Sequence, residues 1–485
     1  MGATIVTAAA TVASADRSAL FVQRSPARLT LPDRGSSLAR CILAVSVPAV
    51  VLVFDNQWAD SFARPKTLVT EAACVLLVMV TAISWVTGTS RDTGISTGGS
   101  LQRLPTSIVI ALTTLVIVET VATVAGVDPW HSVWGEPQQL QGVVPHLMTM
   151  IAFAAAARSI ITRRHLQMVM GAITVSTFVA SLYAIAQRVG EDPFWNVLPN
   201  GRAFASIGQS NALGAVLVLG VCCGLALATT NRTRWPMLWA SMGLVDVIGV
   251  ALTFSRGAYL ALAAAGLVVV AMNPPRGRRR LVLASVTSGA LCALTAVTLT
   301  GHGALAEVGQ RVGSAVAMRS DRSTEEHAAL WYVGVRIGRD NLALGIGPDN
   351  FVEIFDQYRD RVLAADVAAD LAQYRPESPH NVFIARFVDA GAIALIAYVS
   401  LIAVALTHIV SAARRRRSAD PLMIGVIAAI VAHGVTDSFM TGEVAGSWLA
   451  WILIGAGLGV ALHAPPPEPE PARIRYTREM VMPTS

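Results

Sequence analysis

Three side chains have the chemistry to act on a negatively charged leaving group. Arg202 lies in NGRAFASIGQSNALG, a loop leading into an apolar stretch. There Gly201 and Gly208 permit close backbone approach to a ligand, and Ser210 or Asn211 would suit a helix N-cap. Arg256 lies in LTFSRGAYLAL, a short break between two apolar stretches. No acid falls within nine positions of it, and the nearest, Asp246, sits up the preceding helix. His380 closes the one long polar stretch, in ESPHNVFIARF. A guanidinium binds phosphate oxygens through two parallel hydrogen bonds, and an imidazole with an unperturbed pKa of ~6.5 exchanges protons near neutrality. Each also has a plainer reading: an arginine snorkelling to headgroups, a helix entry, a capping histidine.

The remaining polar residues are less pointed. Arg188 reads as an interfacial charge at a helix end. His131 and His146 are expected to flank an outer loop without nearby partners. Glu71, Glu119, Asp246, Asp389, His433 and Asp437 fall within apolar stretches, where they serve either proton relay or structural hydrogen bonding. The five cysteines show no metal-ligand spacing.

These residues must be positioned by membrane-spanning helices. Of the 485 residues, 54% are hydrophobic and only 14% charged, where a soluble surface usually needs about 25%. That composition excludes a soluble multidomain enzyme and a disordered chain. The net charge of +6 comes from 36 arginines and the single lysine, Lys66; its placement follows topology and does not suggest nucleic-acid binding. Twelve spans are expected, near 39–54, 67–87, 106–126, 143–158, 166–187, 207–229, 236–254, 257–273, 281–300, 382–410, 421–440 and 444–463. With both ends cytoplasmic, inner segments hold 23 of the 37 basic residues and short outer connections only five, in line with the positive-inside bias. Losing one span would put RGRRR or RRRR on the wrong side.

The fold expected is therefore an all-α integral membrane protein, with about 12 transmembrane helices and one large extracytoplasmic helical loop. Residues 1–38 form a cytoplasmic tail, 39–300 carry nine spans, 301–381 the loop, 382–463 three more spans, and 464–485 a Pro/Glu/Arg tail. The loop carries twelve acids and eight arginines. Within it Phe351, Ile354, Phe355, Tyr358 and Val362 follow an amphipathic helical period, and Leu330, Val333 and Ile337 mark a second helix.

Four segments, in order, resemble the O-antigen ligase and polymerase superfamily of bacterial membrane glycosyltransferases: GRAFASIGQSNALG, LTFSRGAYLAL, EEHAALWYVGVRIGRDNLALGIGPDNF and PHNVFIARFVDAGAIAL. The spacing of Trp331, Gly345, Gly347, Asn350 and Phe351 before His380-Asn381 is the most specific element, and SVWGEPQQLQG is a weaker upstream match. The chain departs from the pattern at His327, where the family often has arginine, at Leu342, where proline is usual, and at Ala394, in place of a second glycine.

The resemblance implies catalytic roles for His380, Arg256 and Arg202, and donor or acceptor binding by Asn211, Ser255, Asn350 and Asn381. It implies a polyprenyl-diphosphate-linked glycan donor at the outer face of the cytoplasmic membrane, and a glycan, lipid or protein acceptor. Nucleotide triphosphates are absent outside that membrane and the chain has no Gly-rich phosphate loop, so a donor activated beforehand fits. No metal or cofactor is required by this scheme. A polysaccharide polymerase of the same superfamily is the nearest alternative. A lipid-glycan flippase is a further one, although the chain lacks the internal symmetry common among transporters.

Overall fold

A computed structural model of the protein describes residues 34–57, 60–86, 104–136, 140–195, 201–230, 233–273, 322–372, 376–415 and 420–464. Among these residues there are fifteen α-helices and no strand: α1 (Arg34–Leu52), α2 (Ala63–Val86), α3 (Thr106–Ala125), α4 (Pro129–Trp134), α5 (Val143–Ser159), α6 (Arg163–Val189), α7 (Ser210–Ala228), α8 (Pro236–Leu252), α9 (Arg256–Met272), α10 (Arg322–Asp340), α11 (Phe351–Val362), α12 (Ala365–Leu371), α13 (Val382–Arg414), α14 (Pro421–Asp437) and α15 (Val444–Leu462).

Seven of them, α1, α2, α3, α6, α7, α13 and α15, are long and apolar enough to cross a membrane. Helices α5, α8, α9 and α14 are apolar but have only 17 residues each, about 26 Å at 1.5 Å per residue, a little short of a ~30 Å hydrocarbon layer. Eleven of the expected spans thus coincide with apolar helices, and the one at 281–300 lies outside the described residues. The protein is a multi-pass helical membrane protein.

Burial sorts the helices into an inner and an outer set. Helices α7 and α15 are buried almost all round, whereas α2 turns Val75, Val78 and Met79 outward. Small residues make the inner packing possible, since without a hydrophobic drive between helices in lipid, association depends on close approach. At Gly459 in α15 a Cβ would lie 2.6 Å from the carbonyl oxygens of Ala157 and Ile160 at the end of α5.

A second apolar cluster joins α10 and α11. Leu330, Val333, Ile337, Phe351 and Phe355 are buried together with Val388 of α13, and Ile354, Tyr358 and Val362 pack on its margin. These are the positions that the sequence periodicity picks out.

Helix α13 is broken at Ala390 and Gly391, and Gly391 has φ +77°. The segment Asn341–Gly347 fills the break: the Ile346 N–H donates to Val388 O and the Gly347 N–H to Asp389 O, each at 2.9 Å, while the Ala392 N–H donates to Leu342 O at 2.9 Å. Backbone groups that the kink frees thereby find partners. The contact explains Gly345, which has φ +65° and whose Cβ would strike Val388 O.

Consecutive helices run back and forth, so their ends gather in two groups. At one end Arg40 Nη1 donates to Ser159 O at 3.1 Å, and Arg163 pairs with Asp420, the N-cap of α14. At the other end lie the α1–α2 turn, the approach to α7, the α8–α9 break, the segment before α13 and the α14–α15 turn.

Candidate active site at the loop end of the bundle

The approach to α7 is held by backbone and side-chain bonds that fix Arg202. Gln187 Oε1 accepts the N–H groups of Phe204 (3.1 Å) and Ala205 (2.7 Å). Lys66, fully buried, donates to three carbonyls, Val53, Phe62 and Ser206, and so ties the α1–α2 turn to this loop. Arg202 itself donates from Nε to Thr253 O at 2.8 Å and from Nη2 to Asn211 Oδ1 at 2.6 Å. The expected N-capping by Ser210 or Asn211 does not occur. Gln209 occupies the N-cap position without a side-chain bond, because the Asn211 carbonyl is taken by the arginine.

Thr253 begins the turn that carries Arg256. Ser255 caps α9, its hydroxyl accepting the Ala258 N–H, and Arg256 follows at the first helical position. Next in the chain, Gly257 lies against Phe439. Phe254, between these anchors, has φ +48°. Arg188 sits over its ring at 5.7 Å and approaches Gly201. Arg188 is therefore a neighbour of the Arg202 segment and not a bare interfacial charge.

A cavity of about 650 Å³ opens at this end. Its wall includes Asn211, Gly208, His327, His380 and Phe439, the rings of Phe62 and Trp195, and the carboxyl side chains of Asp60, Glu377 and Glu443. Neither Arg202 nor Arg256 lines it: Arg202 is hydrogen-bonded to Asn211, which does, and Arg256 precedes Gly257, which packs on the lining residue Phe439.

His380 enters the cavity from a left-handed backbone, φ +50°. Strain of about 1–3 kcal/mol at such a position persists only where the surroundings hold it. Here they do: Nδ1 lies 3.1 Å from Thr441 Oγ1 and 3.5 Å from Ser378 Oγ, the backbone N–H donates to Ser378 Oγ, and Asn381 caps α13 directly after it. Among the described residues no hydrogen bond reaches Nε2. Burial, and secondarily the His327 ring 5.6 Å away, push the His380 pKa down to about 4. At neutral pH the ring is uncharged and able to accept a proton.

The structure brings some of the expected site residues together and leaves others apart. His380 and Asn211 share the cavity, whereas Arg202 and Arg256 are each one residue removed from its lining. Ser255 and Asn381 are helix caps; the Asn381 amide also donates to Ser438 O at 3.1 Å. Asn350 is fully buried away from the cavity, donating to Ser132 Oγ and Ile346 O, so it braces the segment that fills the α13 break. Thr441, Ser378 and the aromatic wall carry no sequence signal of their own. His327 does: it occupies the departure from the family pattern one helical turn before Trp331.

His131 and His146 correct the expectation that they lack partners. His131 Nε2 lies 3.2 Å from Asp349 O. His146 lies beside Arg386, which donates to Glu119 Oε1 at 2.8 Å, all three within the bundle. The other intramembrane acids are partnered as well: Asp246 accepts from Thr177 and Ser181, Asp389 from the Asp349 N–H, Asp437 pairs with His433 and Glu71 with Arg64.

A membrane-embedded helical fold with a neutral imidazole in a large cavity, and guanidinium groups one residue behind its lining, has the parts of a group-transfer enzyme. The family model for O-antigen ligase matches residues 242–399. That stretch, about a third of the chain, contains Arg256, His327, the α13 break and His380, and over it the protein is similar to the O-antigen ligase family. Arg202 and Asn211 precede the match. No curated relative matches the chain.

Proposed function

We propose that the protein transfers a glycan from a polyprenyl-diphosphate carrier to an acceptor hydroxyl, as an O-antigen ligase does, at the outer face of the cytoplasmic membrane. The observation that carries this reading is the shared cavity, lined by His380 and by Asn211, the residue that holds the Arg202 guanidinium. The outward orientation follows from charge, since the opposite end of the bundle gathers Arg40, Arg158, Arg163 and Arg164.

In this mechanism the acceptor hydroxyl gives its proton to His380 Nε2 and attacks the anomeric carbon. The bond to the lipid diphosphate breaks, and the leaving group departs with the electron pair and its negative charge. Arg202 and Arg256 stabilise that charge, and in a partly dry site each such donor contributes a few kcal/mol to the transition state. General-base assistance contributes about 10²–10⁴ in rate. The rings of Phe62 and Trp195 and the nearby carboxylates offer stacking faces and hydrogen-bond acceptors for sugar hydroxyls.

The experiment is to supply the purified protein with a lipid-diphosphate-linked glycan and candidate acceptors and to look for a new glycosidic bond. Product on a second lipid-linked glycan would favour the polymerase. Movement of glycan across vesicles without a new bond would reject transfer.

A further inference from the structure

We propose that a proton relay leads from His380 through the hydroxyls of Thr441 and Ser378 to the carboxylate of Asp349, across a buried polar compartment behind the histidine. The proposal rests on the reading of His380 as the base.

The first links are direct contacts. Thr441 Oγ1 lies 3.1 Å from His380 Nδ1, and the Thr441 and Ser378 hydroxyls are hydrogen-bonded to one another. A hydroxyl both donates and accepts, so each can hand on one proton while receiving another. Behind Ser378 and Thr441 a compartment of about 20 Å³ is lined by Asp349, Asp389, Arg386 and His146. A second, of about 30 Å³, lies on the other side of Arg386 and His146. Each has room for one water, which needs ~10–15 Å³.

Arg386 and His146 make that water a functional part. A guanidinium only donates, so Arg386 Nη1 donates to His146 Nδ1, and the neutral imidazole carries its proton on Nε2. His146 Nε2 and Arg386 Nε are both buried and, among the described residues, have no acceptor. Two buried N–H donors on the walls of these compartments call for an oxygen acceptor. With one such donor to each water, a water keeps one lone pair to receive a proton and its own hydrogens to give away.

The destination follows by exclusion among the groups facing the compartment. Arg386 and His146 Nε2 already hold protons, which leaves the carboxylates Asp349, Asp389 and Glu377; Glu377 also lines the large cavity on the reaction side, so a proton placed on it has not left the site. Asp389 Oδ1 receives the Asp349 N–H at 3.2 Å, and Asp349 Oδ2 receives the Glu136 N–H at 2.7 Å. Asp349 is also the acid nearer the loop surface, with His131 and Glu136 beside it. Burial raises its pKa to about 6, so it loads and unloads near neutrality.

The protons balance. The acceptor proton goes to His380 Nε2, the Nδ1 proton to Thr441, the Thr441 proton to Ser378, the Ser378 proton to water, and a water proton to Asp349. His380 ends neutral in its other tautomer, and Asp349 ends as the carboxylic acid.

The test compares glycan transfer by wild type, Thr441→Val and Thr441→Ser in H2O–D2O mixtures. The relay predicts that Thr441→Val, which keeps shape and loses the hydroxyl, is about tenfold slower, the effect of one hydrogen bond to the imidazole, and that Thr441→Ser stays near wild type. It also predicts a curved dependence of the wild-type rate on deuterium fraction, as several protons move. Transfer by Thr441→Val at the wild-type rate, or a straight-line dependence for wild type, overturns the relay while leaving glycan transfer intact. Absence of transfer by wild type overturns both.

Discussion

His327 and His380 face one another with ring centroids 5.6 Å apart and planes inclined by 35°. A second imidazole this close, in a partly buried cavity, disfavours a positive charge on His380. Burial is the larger cause and His327 the smaller, and together they hold the His380 pKa at about 4. In Thr441→Val, where the relay is cut, the rate of transfer should therefore stay level through the ordinary histidine range near 6.5 and fall only as pH approaches about 4. Wild type should show in addition a loss of about tenfold near pH 6, as Asp349 takes its proton and the relay closes. Replacing His327 by Phe should move the lower acid limb upward. A pH–rate profile checks these statements, and a limb near 6.5 in Thr441→Val would contradict them. The linked effect on stability has the same direction. A histidine whose folded pKa lies below its unfolded value binds fewer protons when folded, so its contribution is complete above ~6.5 and is lost as pH falls toward the folded value.

Arg202 uses two separate nitrogens on two fixed acceptors, Thr253 O and Asn211 Oδ1. A lysine ammonium is a point charge on a flexible stem and cannot reproduce that fork. Arg202→Lys should therefore lose transfer nearly as fully as Arg202→Ala, on the order of 10²-fold or more. Asn211→Ala, which leaves the guanidinium in place but loosely held, should lose less. Initial rates at saturating donor decide the order, and a fully active Arg202→Lys would show that charge alone suffices.

The docking of Asn341–Gly347 into the α13 break makes a stability prediction. A side chain at Gly345 meets both a left-handed φ and the backbone of Val388 and Asp389. Gly190 also has positive φ, at +87°, but a Cβ there meets nothing within 4 Å. Gly190→Ala should cost about 1–2 kcal/mol, the backbone penalty alone, and Gly345→Ala considerably more. Thermal unfolding in detergent should separate the two midpoints, and equal midpoints would argue that the segment does not seat in the break.

Glu119 and Arg386 form an ion pair inside the bundle at 2.8 Å, with side chains 3% and 11% exposed. Removing one partner leaves a buried charge without its counter-ion. Glu119→Ala should destabilise by about 3–5 kcal/mol, whereas the double replacement Glu119→Leu with Arg386→Met should recover most of that loss. A double-mutant cycle on unfolding free energy measures the coupling. Equal and additive losses would mean that the pair contributes no mutual stabilisation.

Much of this architecture was legible in the residues. Apolar runs of near-span length placed eleven helices, because lipid leaves the backbone few alternatives to helix. The periodicity of Leu330, Val333 and Ile337, and of Phe351, Phe355 and Tyr358, placed the second cluster. Arg202 and Arg256 were visible because basic residues are rare in short outer connections, and His380 because an imidazole at the end of the long loop can exchange protons near neutrality. Less legible was anything that depends on chain segments distant in sequence. Thr441 meets His380 across 61 positions and Arg386 meets Glu119 across 267. Neither hydroxyl nor ion pair has a local pattern to announce it. Asn350 and Asn381 were read as ligand-binding because polar residues in family motifs invite that reading; the structure adds that the amide N–H groups of both have protein partners from distant segments, which no local pattern announces. His146 looked isolated only because its partners come from α3 and α13.

The central claim is that His380 takes the acceptor proton in a cavity with guanidinium groups one residue behind its lining. Its most direct test is single-turnover transfer from a lipid-diphosphate-linked glycan by reconstituted wild-type and His380→Ala protein, with donor binding measured in parallel. The account predicts donor binding retained and the chemical step slowed by about 10²–10⁴. A His380→Ala protein that transfers glycan at the wild-type rate would contradict it.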